Sequence, residues 1–106
     1  LLDCSVGLLA SQGTHYLVTG ENPPRMGNGH AQVSAYGVFP TRDGEVVLAP
    51  ANDGLFRKLL TVLGRDDLLG EKRFADNAAR LAHRGELDAI IASETVNWSG
   101  AALLEA

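Results

Sequence analysis

Hydrophobic residues recur at helical spacing from Leu1 to Thr19, and polar residues occupy most positions between them. On a helix these apolar positions form one stripe, in which Gly13 permits close approach by a neighbouring element. Gly20 follows directly, and glycine is the common residue after the last turn of a helix. The pattern therefore predicts an amphipathic helix over residues 1–19. Its apolar stripe consists of Leu2, Val6, Leu9, Gly13, Tyr16 and Leu17.

The periodicity ends in the segment ENPPRMGNGHAQ, where prolines and glycines interrupt it. Pro23 and Pro24 are incompatible with the interior of a helix or of a central strand, and Gly27 and Gly29 are typical turn residues. We therefore expect a loop over residues 21–34. Loops longer than about 12–15 residues are uncommon in compact domains and tend to be functional or mobile.

A β-hairpin pattern follows the loop. Tyr36, Val38 and Phe39 supply aromatic and β-branched residues, the dipeptide Asp43-Gly44 is a hairpin-turn signal, and an apolar run returns after it. Because a two-stranded hairpin is marginal alone, it needs a helix against one face or a third strand.

Helical patterns fill the remainder of the chain. The strongest begins near Asn52 or Asp53, either of which can cap a helix, and stops at Gly64. Its apolar arc consists of Leu55, Phe56, Leu59, Leu60, Val62 and Leu63. The further predicted elements are short helical turns at 66–69 and 77–82, a helix over 85–94 with Leu87, Ile90 and Ile91 inward, and a last helix from Trp98 or Ser99.

The order of elements is helix, long loop, hairpin and then helices, without the alternation that builds a parallel sheet. This order predicts an α+β fold with a small antiparallel sheet. We divide the chain into a linker helix at 1–20, a Gly/Pro-rich loop at 21–34 and a small α+β domain at 35–106 that is incomplete at its C-terminus. Because the chain opens without methionine and closes in a helical pattern, we expect a piece of a longer protein.

Composition narrows the classes of function. The chain has 106 residues, 45% of them hydrophobic and 21% charged, which suits one globular core. The formal net charge is −4 and basic residues are scattered, so the electrostatic footprint of nucleic-acid binding is missing. No apolar run reaches the roughly 18–20 residues that span a bilayer. The single Cys4 cannot form an internal disulfide, as is typical of a reducing, cytoplasmic setting.

The residues show no motif of a metal site or of a nucleophilic active site. Cys4, His15, His30 and His83 lack zinc-ligand spacing, and the sequence has neither a nucleophile elbow nor a P-loop. Within one helix Cys4 and His15 would lie about 16 Å apart, too far for a hydrogen-bonded pair. His30, beside two glycines, could reach a ligand, and a solvated loop histidine is the alternative.

Four motifs, in order along the chain, resemble one family. They are R-x-G-N-x-H at Arg25–His30, Y-x-V-F-x-T-x-D-G at Tyr36–Gly44, N-D-x-x-F at Asn52–Phe56 and R-F-x-x-N-x-x-R at Arg73–Arg80. With the LLD opening, the chain closely resembles the family III CoA-transferases, which include carnitine and formyl-CoA transferases and the related alpha-methylacyl-CoA racemases. The similarity covers essentially the whole chain.

The resemblance implies a cytoplasmic enzyme with a large Rossmann-like domain and a small α+β domain, assembled as an interlocked homodimer. Its substrates are an acyl-CoA thioester and a carboxylic acid, and it uses no cofactor, metal, nucleic acid or membrane. In the transferases a catalytic aspartate forms an acyl anhydride and an aspartyl-CoA thioester. That aspartate belongs to the large domain, upstream of Leu1, and Asp3 does not match it. We therefore expect no catalytic residue in this chain and no activity from the chain alone.

The resemblance also implies a role for the loop. In formyl-CoA transferase the matching loop is a glycine-rich flap that covers the catalytic aspartate and shields its intermediates. Glycines suit this task because they adopt unusual φ values and let backbone N–H groups approach a ligand. The matching positions, Gly27, Asn28, Gly29 and His30, are the candidate substrate-loop residues. Glycines are fewer here than in that flap, and Ala31 replaces a frequent proline, so we expect a loop that lines the acyl pocket.

Two alternatives remain open at this point. One is racemisation of a 2-methylacyl-CoA, for which the related enzymes use an upstream histidine and aspartate. The other is a noncatalytic dimerisation or interaction module.

The aromatic residues expected in the core are Tyr36, Phe39, Phe56 and Phe74. The residues expected to tie the charged connection to the domain are Arg73, Asn77 and Arg80.

Overall fold

The computed structural model describes residues 1–106 and has the predicted α+β fold, with six α-helices and one two-stranded antiparallel sheet. The elements are α1 (Leu2–Gly7), α2 (Ala10–Thr19), β1 (Gly37–Thr41), β2 (Gly44–Leu48), α3 (Asp53–Val62), α4 (Asn77–Ala82), α5 (Arg84–Thr95) and α6 (Gly100–Glu105). Two short 3₁₀ helices, Asp66–Gly70 and Lys72–Phe74, connect α3 to α4. No helix combines the length and the apolar character needed to cross a membrane.

The helix predicted over residues 1–19 forms as two helices. After Gly7, the amides of Leu8 and Leu9 donate to the carbonyls three residues earlier, at 3.1 and 3.0 Å, instead of four. Glycine weakens a helix interior, so the ladder tightens and breaks there. The predicted stop is confirmed, because Gly20 has a left-handed φ of 74°. Neither α1 nor α2 contains a buried residue, so their apolar stripe remains largely exposed in this chain.

The hairpin forms where it was predicted, with its turn one residue earlier. Thr41 pairs with Gly44, so Arg42 and Asp43 form the turn rather than Asp43 and Gly44. Phe39 pairs with Val46, and both side chains are buried on the core face of the sheet. The missing support for the hairpin is α5, which packs against β1.

Helix α3 begins and ends as its sequence predicts. The side chain of Asn52 accepts the N–H of Leu55 at 2.9 Å, and Gly64 has a φ of 70° just after the helix. The apolar arc is buried unevenly, since Leu60 is fully buried whereas Leu55 is 44% exposed. The predicted apolar arc of α3 is therefore wider than the part of the helix surface that neighbouring elements bury.

One core joins the hairpin to the helices. Leu87 and Ile91 on α5 have no exposed surface, and the aromatic residues Phe39, Phe56 and Phe74 lie beside them in the same cluster, as predicted. The whole cluster consists of Ala35, Phe39, Val46, Phe56, Leu60, Leu63, Leu68, Phe74, Leu87, Ile91 and Leu103. Burial of such side chains contributes roughly 1.5–3 kcal/mol each. The core therefore fixes α5 behind β1.

Ion pairs line the charged connection between α3 and α5. Arg73 pairs with Glu71 and Glu86, as expected for a residue that ties this connection down. Arg65 pairs with Asp67 at 2.9 Å and with Glu94 at 3.2 Å. Exposed pairs of this kind contribute little each, so their main effect is to set the path of the connection.

Candidate functional site

The loop makes a tight turn at residues 26–29, which contains three of the four predicted substrate-loop residues, Gly27, Asn28 and Gly29. The amide of Gly29 donates to the carbonyl oxygen of Met26 at 2.9 Å, which closes a four-residue turn. Gly27 has a φ of 57° while Asn28 does not, and a positive φ at the first central position alone is the pattern of a type II′ turn. A Cβ atom on Gly29 would lie 3.2 Å from that same oxygen. The φ of Gly27 therefore favours glycine there, and a side chain at position 29 would crowd the Met26 carbonyl oxygen.

The end of the loop is held by two polar side chains from distant helices. Asn77, the first residue of α4, donates to the carbonyl oxygen of Gln32 at 2.8 Å and accepts the amide of Ser34 at 3.2 Å. Arg84, the first residue of α5, donates through Nη2 to the carbonyl oxygens of His30 and Val33. These four bonds fix the loop backbone from residue 30 to residue 34.

A third side chain on the same helices reaches the loop from within the core. Arg80 is 4% exposed and donates through Nε to Ser34 Oγ at 3.1 Å and through Nη1 to the Phe74 carbonyl oxygen at 3.1 Å. Its Nη2 donates to Asp53, and this hydrogen bond lowers the pKa of the Asp53 carboxyl. The guanidinium also lies 4.3 Å above the Phe56 ring. Each of the three guanidinium nitrogens of this buried side chain therefore donates a hydrogen bond.

His30 is turned toward its own backbone. Its Nδ1 accepts the amide of Gln32 at 3.1 Å, so that nitrogen carries no proton and Nε2 carries the ring proton. The ring lies 5.2 Å from the Tyr36 ring, centroid to centroid. In this arrangement His30 stabilises the end of the loop that leads into β1, through Gln32 and Tyr36.

The loop joins β1 through a strained residue. Ala35 is 1% exposed and has a φ of 55°, the left-handed region that non-glycine residues rarely adopt. Such a conformation persists only where the surroundings fix it, and Ser34 is fixed by Asn77 and Arg80. The strain is therefore held at the point where the loop meets the sheet.

A cavity of about 400 Å³ lies between the loop, the first strand and α5. Asn28 and Gly29 form its loop side, and Asp88 and Ala92 form its helix side. Tyr36, predicted in the core, is instead half-buried and lines this cavity. The complete lining is Met26, Asn28, Gly29, Tyr36, Gly37, Val38, Phe39, Pro40, Asp88 and Ala92. Its size and mixed polarity suit a small polar molecule or one end of a larger one.

Asp88 is the ionisable group that α5 contributes to this cavity. Its Oδ1 atom is buried without a hydrogen-bond partner, and burial raises the pKa of the carboxyl. The positive charge of Arg84, one helical turn earlier, opposes part of that rise. Burial thus favours the neutral form of Asp88 more than water does.

The four predicted loop residues occupy different surroundings. Asn28 and Gly29 line the cavity, Gly27 shapes the turn beside it, and His30 packs on Tyr36 outside the cavity lining. Of the residues that the helices contribute, Arg84, Asp88 and Ala92 were not predicted, and Asn77 and Arg80 were predicted only to tie the charged connection to the domain. A usable signal was the spacing of Asn77, Arg80, Arg84, Asp88 and Ala92, which recur every three or four residues as one helical face does.

The arrangement supports binding and covering of a ligand. No three metal-ligating side chains come together in the chain, and Cys4 is exposed on α1, far along the sequence from the cavity residues. The loop instead presents backbone groups and an amide side chain, Asn28, at the rim of a partly apolar cavity.

Comparison with known sequences gives the family. The sequence model described as CoA-transferase family III matches residues 1–106. A succinate–glutarate CoA-transferase from Agrobacterium fabrum is 44% identical over 106 residues, which are all of this chain and 26% of that protein. A succinyl-CoA–D-citramalate CoA-transferase from Chloroflexus aurantiacus is 35% identical over 95 residues, or 89% of this chain and 24% of that protein. The chain thus spans about a quarter of the length of these curated relatives.

A solved structure has the same fold. The crystal structure of a CaiB/BaiF family protein from Brucella suis matches with a TM-score of 0.77 at 42% identity, covering 97% of this chain and 27% of that one. The resemblance inferred from four motifs is confirmed, because the family match extends over every residue. The chain belongs to CoA-transferase family III.

Proposed function

We propose that this chain is the loop-bearing small domain of an enzyme that transfers CoA between an acyl-CoA thioester and a carboxylic acid. The observation that carries the proposal is the family match over residues 1–106, which includes the loop and the cavity that it lines. The whole enzyme supplies the remaining three quarters of the machinery, and the thioester is its substrate, with no further cofactor.

The reaction requires a carboxylate outside this chain. An aspartate on the large domain attacks the thioester carbonyl, a carbon–oxygen bond forms, and CoA leaves as the thiolate. The thiolate attacks the aspartyl carbonyl of this anhydride and releases the first acid. The second acid then attacks the aspartyl thioester, the thiolate leaves again, and its attack on the new acyl carbonyl frees the aspartate.

The proposed task of the loop is to keep water away from these intermediates. Water hydrolyses an acyl anhydride in competition with the CoA thiolate, so a covered site protects the anhydride. The turn at Met26–Gly29 brings Asn28 and Gly29 to the cavity rim. Because Gly29 carries no side chain, the loop backbone can approach a bound substrate closely there.

The proposed acids are short dicarboxylic acids. The names of several relatives contain succinate, succinyl-CoA, glutarate, mesaconate or oxalate. Acids of that size fit a cavity of about 400 Å³ at the loop. The interlocked homodimer and the cytoplasmic location implied by the resemblance are part of the same proposal, and size-exclusion chromatography with light scattering tests the dimer.

Trapping of the intermediate tests the proposed reaction. The whole enzyme is incubated with succinyl-CoA and then with hydroxylamine, and the proteolysed protein is searched for an aspartyl hydroxamate. The hydroxamate, formed only with succinyl-CoA, supports transfer. Deuterium uptake at the α-carbon of a 2-methylacyl-CoA without an acceptor acid, and without any hydroxamate, would instead establish racemisation.

A further inference from the structure

The long-range contacts of the loop are concentrated on two helices. Asn77 and Arg84 begin α4 and α5, and together they make four hydrogen bonds to the backbone of residues 30–34. The partners are 43 to 54 residues apart in sequence. Contacts of this range, made to main-chain atoms, fix where the loop lies and do not depend on the side chains it carries.

The held segment lies directly behind the turn that reaches the cavity. Arg84 binds the carbonyl oxygen of His30, and Gly29, the preceding residue, lines the cavity. The amide of His30 in turn donates to the Tyr36 carbonyl oxygen at 3.4 Å. A shift at residue 30 therefore moves the rim of the cavity with it.

We propose that Arg84 and Asn77 are positioning residues that hold the Met26–Gly29 turn over the reacting thioester and so set the ratio of CoA transfer to hydrolysis. The inference rests on the proposed function. Without these side chains, the carbonyl oxygens of His30, Gln32 and Val33 lose their partners within the fold and hydrate instead. The turn then opens more often, and water attacks the acyl carbonyl, which yields the free acid and free CoA thiol.

Arg84→Ala in the whole enzyme tests this directly, with Arg65→Ala as the matched control. Arg65 makes three side-chain hydrogen bonds to Asp67 and Glu94, none of them to the loop. If Arg84 only stabilised the fold, Arg84→Ala and Arg65→Ala would have similar effects on loop exchange and on the ratio of hydrolysis to transfer. Arg84→Lys keeps a donor for the two carbonyls and is expected to fall between wild type and Arg84→Ala. Asn77→Ala is the second loop variant, should Arg84→Ala fold poorly.

Two readouts separate this inference from the proposed function. Amide exchange of peptides that cover residues 27–34 measures loop order whether or not the enzyme transfers CoA. We expect about tenfold faster exchange in Arg84→Ala and no change there in Arg65→Ala. Release of CoA thiol from succinyl-CoA without an acceptor acid, divided by the rate of transfer to glutarate, measures leakage. This ratio should rise about tenfold in Arg84→Ala, below the hundredfold that a misplacement of about 1 Å can cost.

Unchanged exchange over residues 27–34 in both Arg84→Ala and Asn77→Ala would overturn the positioning role, even in an active enzyme. Faster exchange with a hydrolysis-to-transfer ratio within twofold of wild type would overturn the effect on the reaction. Absence of CoA transfer in the wild type would count against the proposed function, and loop exchange would still decide the positioning role.

Discussion

Arg80 Nε donates to Ser34 Oγ at 3.1 Å and so connects the fourth helix to the end of the loop, 46 residues earlier. The same guanidinium binds the Phe74 carbonyl oxygen and the Asp53 carboxylate, and only 4% of Arg80 is exposed. One buried cation thus joins the loop, α3, α4 and the 3₁₀ connection.

Arg80→Ala should lower the free energy of unfolding by about 3 kcal/mol, because Ser34 and the Phe74 carbonyl oxygen lose buried hydrogen bonds. Arg80→Lys should recover less than half of this loss, since one ammonium cannot reach three partners in a fork. Urea unfolding measures both, with the exposed Arg57→Ala as the control, expected within about 0.5 kcal/mol of wild type. Equal stability of the Arg80 and Arg57 variants would show that this contact network contributes nothing.

Asp88→Asn should stabilise the protein at neutral pH. Burial raises the pKa of Asp88, so the folded chain holds this proton more tightly than the unfolded chain does. The contribution of Asp88 is therefore fully favourable below the ordinary aspartate pKa of about 3.9 and is lost as pH rises through its raised value. Unfolding midpoints of wild type and Asp88→Asn are compared from about pH 3, below that reference pKa, to about pH 7, above it. The midpoint of Asp88→Asn should rise above that of wild type as pH increases.

Asp43→Asn is the control of opposite sign. Asp43 accepts the amide of Gly100 at 2.8 Å and the hydroxyl of Thr41 at 3.1 Å, and the bond from Gly100 lowers its pKa. Its contribution is present above the ordinary aspartate pKa and lost as pH falls through the lowered value. Asp43→Asn should therefore destabilise at pH 7. A pH profile in which both variants shift the same way would refute the burial argument for Asp88.

Gly27→Ala should destabilise the loop turn by about 1 kcal/mol, because its φ of 57° is costly for a residue with a Cβ. Gly85→Ala is the matched control, since a Cβ there meets no atom within 4 Å and the residue lies inside α5. Helix propensity makes that control neutral or slightly stabilising. Equilibrium urea unfolding compares the two, and identical midpoints would mean that the turn does not require glycine.

The sequence predicted the elements whose signals are local. Asn52, Gly64 and the apolar arc between them suffice to locate α3, because caps and periodicity act within one helix. The motifs likewise identified the loop. The contacts of Arg84 with His30 and Val33 could not be predicted, since they depend on how α5 packs beside a loop more than 50 residues earlier in the chain. The left-handed φ of Ala35 was missed for the same reason: alanine carries no signal for it, and tertiary contacts impose it.

The exposed helices α1 and α2 carry a prediction about the isolated chain. Most of their apolar residues are largely exposed, such as Leu2 at 78% and Leu17 at 84%. We expect them to pack on the remainder of the enzyme, so their amides should exchange rapidly when the 106-residue chain is studied alone. Amide exchange by NMR gives the comparison, with Leu55–Leu63 as the protected reference. Equal protection of residues 1–19 would contradict this expectation.

CoA transfer from succinyl-CoA to glutarate, measured in parallel for the whole enzyme and for residues 1–106 alone, tests most directly whether this chain covers a site whose reacting carboxylate lies elsewhere. We expect glutaryl-CoA from the whole enzyme and none from the isolated chain at equal molar concentration. Turnover by the isolated chain would contradict this division, since it would mean that the bond-making carboxylate lies within residues 1–106.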